Sequence, residues 1–193
     1  MMRINQKREL ILFIENVLDW FNKVKIINYI ALRYFNAAGA DPDKELGEAH
    51  KFETHLGGQS YFAGIIPDII KSIIYERQLI IKNPNSVRPW QHVLDTLSGY
   101  LILGKVLLLR KNKFKYPNWN FGPNVEKFYP VKYLLNKIEK YWKSKLNVKF
   151  AKKNRIQETN FLLLNNEKAK LELGWQPKLS IDQALDLTNE WYY

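Results

Sequence analysis

Cysteine is missing from all 193 residues, and only 2 methionines occur. Without thiols there is no disulfide framework and no thiolate metal site, and the absence agrees with a reducing compartment. Cytoplasm is therefore the expected location. Long hydrophobic runs are absent too. The longest apolar-rich stretch, Tyr100 to Leu109, is interrupted by Gly104 and Lys105 and is too short to cross a bilayer. Charges at Arg3, Lys7, Arg8 and Glu9 precede an amphipathic stretch, so neither a signal peptide nor a membrane span is expected.

Acidic residues are in short supply as well: 19 Asp and Glu face 30 Lys and Arg, for a formal charge of +11. Clustered cations suit nucleic acid. From Lys132 to Lys153, however, the lysines alternate with Val131, Leu134, Leu135, Ile138 and Trp142 at helical spacing, the pattern of a solvated helix face. No zinc finger, RNA-binding aromatic motif or helix-turn-helix signature accompanies them. Nucleic acid is thus not the expected partner, and a surface attractive to polyanions remains the residual reading. The chain is 46% hydrophobic and 14% aromatic, enough for one ordinary domain or a piece of a larger one.

Hydrophobic periodicity predicts alternating helices and strands. Arg8 to Lys23 reads as a helix, with Leu12, Ile14, Val17, Leu18 and Phe21 near one face. Ile26 to Tyr34 reads as a strand buried on both faces, as in a parallel sheet. Asn36 to Gln59 has no periodicity and reads as a long loop of the kind that tends to be functional. Helices are expected over Ile65 to Arg77, with Pro67 in the first turn, and over Val93 to Leu109, Pro130 to Trp142, Asn166 to Leu173 and Ile181 to Tyr192. Leu79 to Lys82, Trp119 to Phe121 and Phe161 to Leu164 read as short strands. Gly174 is a C-cap candidate, and Ser180 with Gln183 forms a capping-box pattern.

Asn83-Pro84-Asn85-Ser86-Val87-Arg88-Pro89-Trp90-Gln91-His92-Val93 is the segment richest in functional chemistry, an extended stretch that runs into a helix. A guanidinium there offers a planar fork for phosphate oxygens, with a surface salt bridge as the plainer alternative. Two longer patterns accompany it. Ala31 to Pro42, continuing through Gly47-Glu48-Ala49-His50 to Glu53-Thr54-His55-Leu56, resembles the UDP-glucose 4-epimerase branch of the extended short-chain dehydrogenase/reductase family. From about Gly57 onward, Ile66-Pro67-Asp68-Ile69-Ile70, Asn83 to Val93, Gly99-Tyr100, Trp119 to Pro123 and Leu173 to Pro177 resemble its CDP-glucose 4,6-dehydratase branch. The change near Leu56 implies a junction between two related coding sequences.

The resemblance implies an α/β fold: the C-terminal portion of an extended short-chain dehydrogenase/reductase, with an incomplete Rossmann-type parallel sheet plus a smaller α/β substrate-binding domain. Residues 1–40 would be the remnant of the dinucleotide-binding domain and 41–193 mainly the substrate region. NAD is the implied cofactor, yet none of the 9 glycines stands in a GxxGxxG or GxGxxG arrangement that would cradle its pyrophosphate. The family's Tyr-x-x-x-Lys pair, in which Lys lowers the Tyr pKa for proton abstraction, belongs on a helix that here begins only after the pair should have ended. Tyr133-x-x-x-Lys137 and Tyr141-x-x-x-Lys145 copy the spacing on a helix better explained as a solvated face. The acidic pair of a dehydratase falls in the missing part as well.

By the same resemblance Arg88 contacts a nucleotide diphosphate, Asn36 touches the sugar nucleotide, and Tyr34 and Phe35 lie beside nicotinamide and sugar. Ile66 and Pro67 underlie the nucleotide, His92 is either a ligand contact or a packing histidine, and Glu158 is either a substrate-side acid or an exposed carboxylate. Core packing explains Tyr34 and Phe35 equally, and turn capping explains Asn36. His50 and His55 have no companion pattern for a metal. The implied ligand is CDP-glucose or UDP-glucose. The chain is expected to be inactive alone, to be completed by a separate N-terminal half, or to be a noncatalytic binder of nucleotide sugars or polyanions; a homodimer is the alternative assembly.

Overall fold

The computed structural model describes residues 4–41, 43, 45–47, 64–109, 117–124, 128–151 and 160–193, with 4–8 as backbone only. Among the described residues, six helices and six short strands are interspersed along the chain. They are α1 (Ile4–Lys23), β1 (Ala31–Arg33), β2 (Ala37–Ala38), α2 (Ile65–Ile74), β3 (Leu79–Ile81), β4 (Gln91–His92), α3 (Val93–Leu108), β5 (Asn118–Asn120), α4 (Val131–Trp142), β6 (Val148–Phe150), α5 (Glu167–Leu173) and α6 (Ile181–Tyr192). Every named strand pairs in parallel: β1 with β5, β2 with β4 and β3 with β6. Parallel pairs need long crossovers, and helices fill them here.

The helices follow the periodicity closely, and their ends have local causes. Gly64 caps α2, and Pro67 falls in its first turn, where a missing N–H is harmless. Ser180 and Gln183 form the reciprocal capping box that opens α6, and Gly174 closes α5 at φ 66°. Lys25 closes α1 in the left-handed region, with Ile26 N–H donating to Phe21 O and Lys25 N–H to Asn22 O. Those two bonds satisfy carbonyls the helix would otherwise leave open.

The strands differ more from expectation. Only Ala31–Arg33 of the stretch Ile26 to Tyr34 is strand, and it is half-buried rather than buried on both faces. Its apolar character is met by packing Ile30 and Leu32 on one core only. Phe161 to Leu164 forms no named strand; Phe161 makes a single bridge to Val87. Two strands fall where no strand pattern stands: Ala37–Ala38 inside the expected loop, and Val148–Phe150 among the lysines.

Two cores hold the elements. One gathers Ile66, Ile69 and Ile70 of α2, Leu79 and Ile81 of β3, Leu134, Leu135 and Ile138 of α4, Leu185 of α6, and Trp90. The other packs Leu103, Trp119, Phe121, Ala169 and Trp175. Phe121 and Trp175 meet edge to face at 4.8 Å, and Gly99 lets α3 close on them, since a Cβ there would stand 2.4 Å from the Phe121 ring. On α4, Lys132 and Lys140 are exposed, as are Lys143 and Lys145 just beyond it, while Leu134, Leu135 and Ile138 are buried, the solvated face that the spacing implied.

Asp95, buried in the first turn of α3, joins the second core to α6. Its carboxylate accepts from Lys178 N–H at 2.9 Å and Leu179 N–H at 3.2 Å, while its carbonyl and Ser98 Oγ accept from the Trp175 indole. Asp95→Ala leaves two backbone donors without their acceptor. It should lower the unfolding free energy by about 2 kcal/mol, read by urea denaturation; a loss under about 0.5 kcal/mol would contradict this role.

Candidate functional site

The segment from Asn83 to His92 is fixed from both sides by backbone bonds. Val87 N–H donates to Asn160 O at 2.8 Å and Leu162 N–H donates to Val87 O at 3.1 Å. On the other side Val131 N–H reaches Ser86 O at 3.0 Å and Lys132 N–H reaches Pro84 O at 2.9 Å. Asn83 turns the chain into it: its Oδ1 accepts from Asn85 N–H, and its Nδ2 donates to Asn160 Oδ1 at 2.7 Å. A tight turn about Pro89 follows, closed by Trp90 N–H to Arg88 O at 3.0 Å. Buried Trp90 pins it, donating from Nε1 to Tyr129 O at 2.9 Å.

Arg88 is thereby held in the wall of a cavity of about 360 Å³. Phe128, Tyr129, Leu163 and Lys178 line the same space, together with the first residues of α6. Nη1 of Arg88 donates to Val87 O at 2.8 Å, and no carboxylate pairs with the guanidinium among the described residues. The plainer reading of a surface salt bridge therefore has no partner acid there. An aromatic wall beside an unpaired planar cation suits a flat, anionic ligand.

Gln91 and His92, next in the chain, are structural. Gln91 Nε2 donates to Phe121 O at 2.9 Å and to Phe35 O at 3.3 Å, and its backbone N–H donates to Asn36 O at 3.3 Å. Nothing in the local pattern announced this role for Gln91. His92 is 1% exposed and caps α3, its Nδ1 accepting from Leu94 N–H at 3.3 Å. Gly39, at φ 103°, lies directly on the ring, since a Cβ there would stand 2.2 Å from Nε2. Burial lowers the His92 pKa below its ordinary 6.5, and nearby Asp95 opposes the shift.

The other expected site residues do not converge on the Arg88 cavity. Tyr34 and Phe35 are 43% and 41% exposed, and Asn36 follows them in the left-handed region at φ 50°, consistent with its turn-forming role. The Tyr34 ring meets Tyr100 at 6.2 Å; burial and then the bond to Tyr34 raise the Tyr100 pKa. Ile66 and Pro67 are buried, Ile66 within the first core, so a ligand crossing that segment would meet backbone rather than these side chains. His92 lines a different, smaller cavity. Glu158, His50 and His55 lie outside the described residues.

The first of the two look-alike Tyr-x-x-x-Lys pairs has structural employment. Tyr133 donates to Asp182 Oδ1, and Lys137 bridges to the same oxygen at 2.9 Å, tying α4 to the first turn of α6. Burial and then the Asp182 bond raise the Tyr133 pKa, the opposite of what a phenolate base needs. Tyr141 is likewise shifted up, by burial and then by Glu190. Among the described residues no group of three acidic or His side chains could hold a metal, and no helix is long and apolar enough to cross a membrane.

Parallel strands separated by helices, with a cation-bearing turn at a strand end, define an α/β protein of Rossmann type. The chain is homologous to the nucleotide-sugar epimerases and dehydratases of the extended short-chain dehydrogenase/reductase family. A CDP-glucose 4,6-dehydratase of Salmonella typhimurium is 36% identical over 128 residues, 66% of this chain and 35% of the relative. A UDP-glucose 4-epimerase of Rhizobium meliloti is 29% identical over 186 residues, 92% of this chain and 52% of the relative. The epimerase likeness thus continues well beyond Leu56, alongside the dehydratase one. No family model matches.

Among solved structures, a UDP-glucose 4-epimerase superimposes with a TM-score of 0.76 at 24% identity, covering 94% of this chain and 53% of its own. The Bifidobacterium longum UDP-glucose 4-epimerase in complex with NAD+ and UDP gives 0.71 at 23%, covering 93% and 52%. These likenesses establish the fold alone. The chain spans from about a third to about half the length of these relatives.

The His92 pKa ties stability to pH. Because the folded form binds a proton less readily than the unfolded one, the contribution is complete above 6.5 and is lost as pH falls from there toward the depressed folded value. His92→Asn keeps a capping side chain but removes the titration. The stability difference between wild type and this variant, measured by chemical denaturation across roughly pH 5 to 7.5, should narrow toward acid. A constant difference would contradict the assignment.

Proposed function

We propose that this chain is a nucleotide-sugar-binding region related to CDP-glucose 4,6-dehydratases, that Arg88 receives the diphosphate, and that the chain turns over no substrate by itself. The observation that carries this reading is the Arg88 guanidinium, without a carboxylate partner among the described residues, in the wall of an aromatic-lined cavity of about 360 Å³. The volume suits a nucleotide-sized ligand. The CDP-glucose dehydratase relative, at 36% identity, favours CDP-glucose, and the UDP-glucose epimerases support UDP-glucose as the second choice. Residues 41–193 supply the binding region on this reading and residues 1–40 the edge of a dinucleotide domain. Lyase and isomerase chemistry belong to the completed enzyme, in the cytoplasm.

NAD does not fit the residues of this chain alone. The helix that follows directly on a strand, α3, has no glycine turn before it. Its first free N–H is already taken by the His92 imidazole, which occupies the place where a pyrophosphate would draw on helix N–H groups. Tyr34 and Phe35 would at most flank a nicotinamide held by other residues. The chain supplies no Tyr-x-x-x-Lys pair fit to move a proton.

A second reading, an enzyme completed by a separate N-terminal half, is favoured by the apolar surface. Leu10, Ile11, Leu12, Phe13 and Ile14 of α1 are all at least 44% exposed, although five successive residues face all sides of a helix. Leu97 and Leu101 of α3 add to the uncovered surface, and among the described residues β1 pairs on one edge only. So much exposed apolar area invites a partner half, a second copy or aggregation.

CDP and UDP should bind the wild-type chain, and Arg88→Ala should weaken binding about tenfold or more, as removing a charge-assisted contact does. Equal affinities, measured by calorimetry, would sink the role of Arg88. Co-expression with an N-terminal half bearing the glycine-rich turn and the Tyr/Lys pair should give CDP-glucose dehydration and bound NAD; a complex with neither rejects the completed-enzyme reading. The isolated chain should scatter light strongly on refolding, whereas a monodisperse, cooperatively melting monomer would contradict the uncovered face.

A further inference from the structure

The cavity beside Arg88 has a second cation in its wall. Lys178, on the connection between α5 and α6, is exposed and has no carboxylate partner among the described residues. By contrast Lys23, Lys137 and Lys168 each face an acid. No Asp or Glu stands among the described residues that line this space, so nothing in its wall competes with an anion for the two cations.

The backbone of Lys178 is anchored while its side chain is left to the cavity. Buried Asp95 accepts from Lys178 N–H at 2.9 Å and from Leu179 N–H at 3.2 Å, which fixes where the side chain starts. The same bonds remove another means of holding phosphate. Phosphates commonly rest on free backbone N–H groups, above all at helix N-termini. Here the N–H groups closest in sequence to the two cations are spent inside the fold. Ser180 N–H goes to Gln183 Oε1 and Gln183 N–H to Ser180 Oγ, while Val87 N–H goes to Asn160 O and Trp90 N–H to Arg88 O. Pro89, Pro123 and Pro177, also in the wall, have no N–H to give. Anion binding in this cavity therefore leans on side-chain charge.

A nucleotide sugar carries one negative charge on each phosphate, and Arg88 answers only one of them. We infer that Lys178 is the second cation of the diphosphate site, and that the Arg88–Lys178 pair makes the cavity selective for nucleoside diphosphates over monophosphates. The inference rests on the reading of Arg88 as the diphosphate contact. Lys178 acts as a point charge on a flexible stem, whereas Arg88 offers a planar fork, so the two have unequal weight.

Calorimetry on the full chain with CDP, UDP and CMP tests this. Wild type should bind CDP and UDP more tightly than CMP. Lys178→Met keeps the backbone bonds to Asp95, and it should weaken CDP and UDP about fivefold, less than Arg88→Ala does, because an exposed ammonium is screened by solvent. CMP should change by less than about twofold in the same variant, and Lys178→Arg, which keeps the charge, should retain the preference for CDP. Loss of CDP binding in Arg88→Ala with none in Lys178→Met would leave the nucleotide site standing and overturn the role of Lys178. Equal losses of CDP and CMP in Lys178→Met, or a lost preference in Lys178→Arg, would overturn it too. Absence of CDP and UDP binding in wild type would overturn both this inference and the reading on which it rests.

Discussion

Gln91 is the residue through which the separate pieces of this molecule communicate. Its carboxamide donates to the carbonyls of Phe35 and Phe121, just beyond the ends of β1 and β5, while its backbone N–H donates to Asn36 O beside β2. Three strand ends are therefore stitched to the segment that carries Arg88 and His92. The bond to Phe121 O is buried, and losing it leaves a carbonyl unpaired away from water. The pairing of Ala37 and Ala38 with Gln91 and His92 extends only two residues, too few to hold by themselves. Side-chain bonds reinforce what the ladder lacks.

From that stitch the chemistry divides. Arg88 precedes it by three residues and turns toward a cavity with aromatic walls, positioned by Pro89 and by the Trp90 bond to Tyr129. His92 follows it by one residue and turns the other way, beneath Gly39 and onto the N-terminus of α3. Two neighbouring groups that look like partners in a linear reading thus serve different cavities. The tight turn about Pro89, closed by Trp90 N–H to Arg88 O, breaks the extended course between them and separates the two side chains.

The distribution of apolar surface is the second constraint. Both cores lie mainly among α2 to α6 and their strands; among the described residues, Ala38 of β2 enters the first core, and Ile30 and Leu32 pack against the second. Helix α1 enters neither core; it is tied by Glu15, which takes a forked ion pair from Arg33. A helix whose residues 10–14 are all apolar and exposed, and which is held by the Glu15–Arg33 ion pair, leaves apolar surface uncovered. The basic lysines of α4, by contrast, are simply a solvated face over a leucine-rich core.

The amino-acid sequence by itself determined the helices, because their period, the Ser180/Gln183 capping box and the left-handed Gly174 are local facts that need no distant partner. It also determined which segment deserved attention, since Arg, Pro, Trp, Gln and His stand within five positions. The sequence also marked strands where β3 and β5 fall, but tertiary structure alone decided β2 and β4, which are two residues long and acquire their conformation by pairing across more than fifty residues of chain. The same holds for the apolar stretch Ile26 to Ile30, which looked like strand yet has no neighbour to pair with among the described residues. Only the fold could assign Tyr133 and Lys137 to an interhelical clasp, Ile66 and Pro67 to the core, and His92 to a helix cap. In each case the residue's role depends on which distant group reaches it, and hydrogen bonds and burial are properties of that meeting rather than of the local pattern.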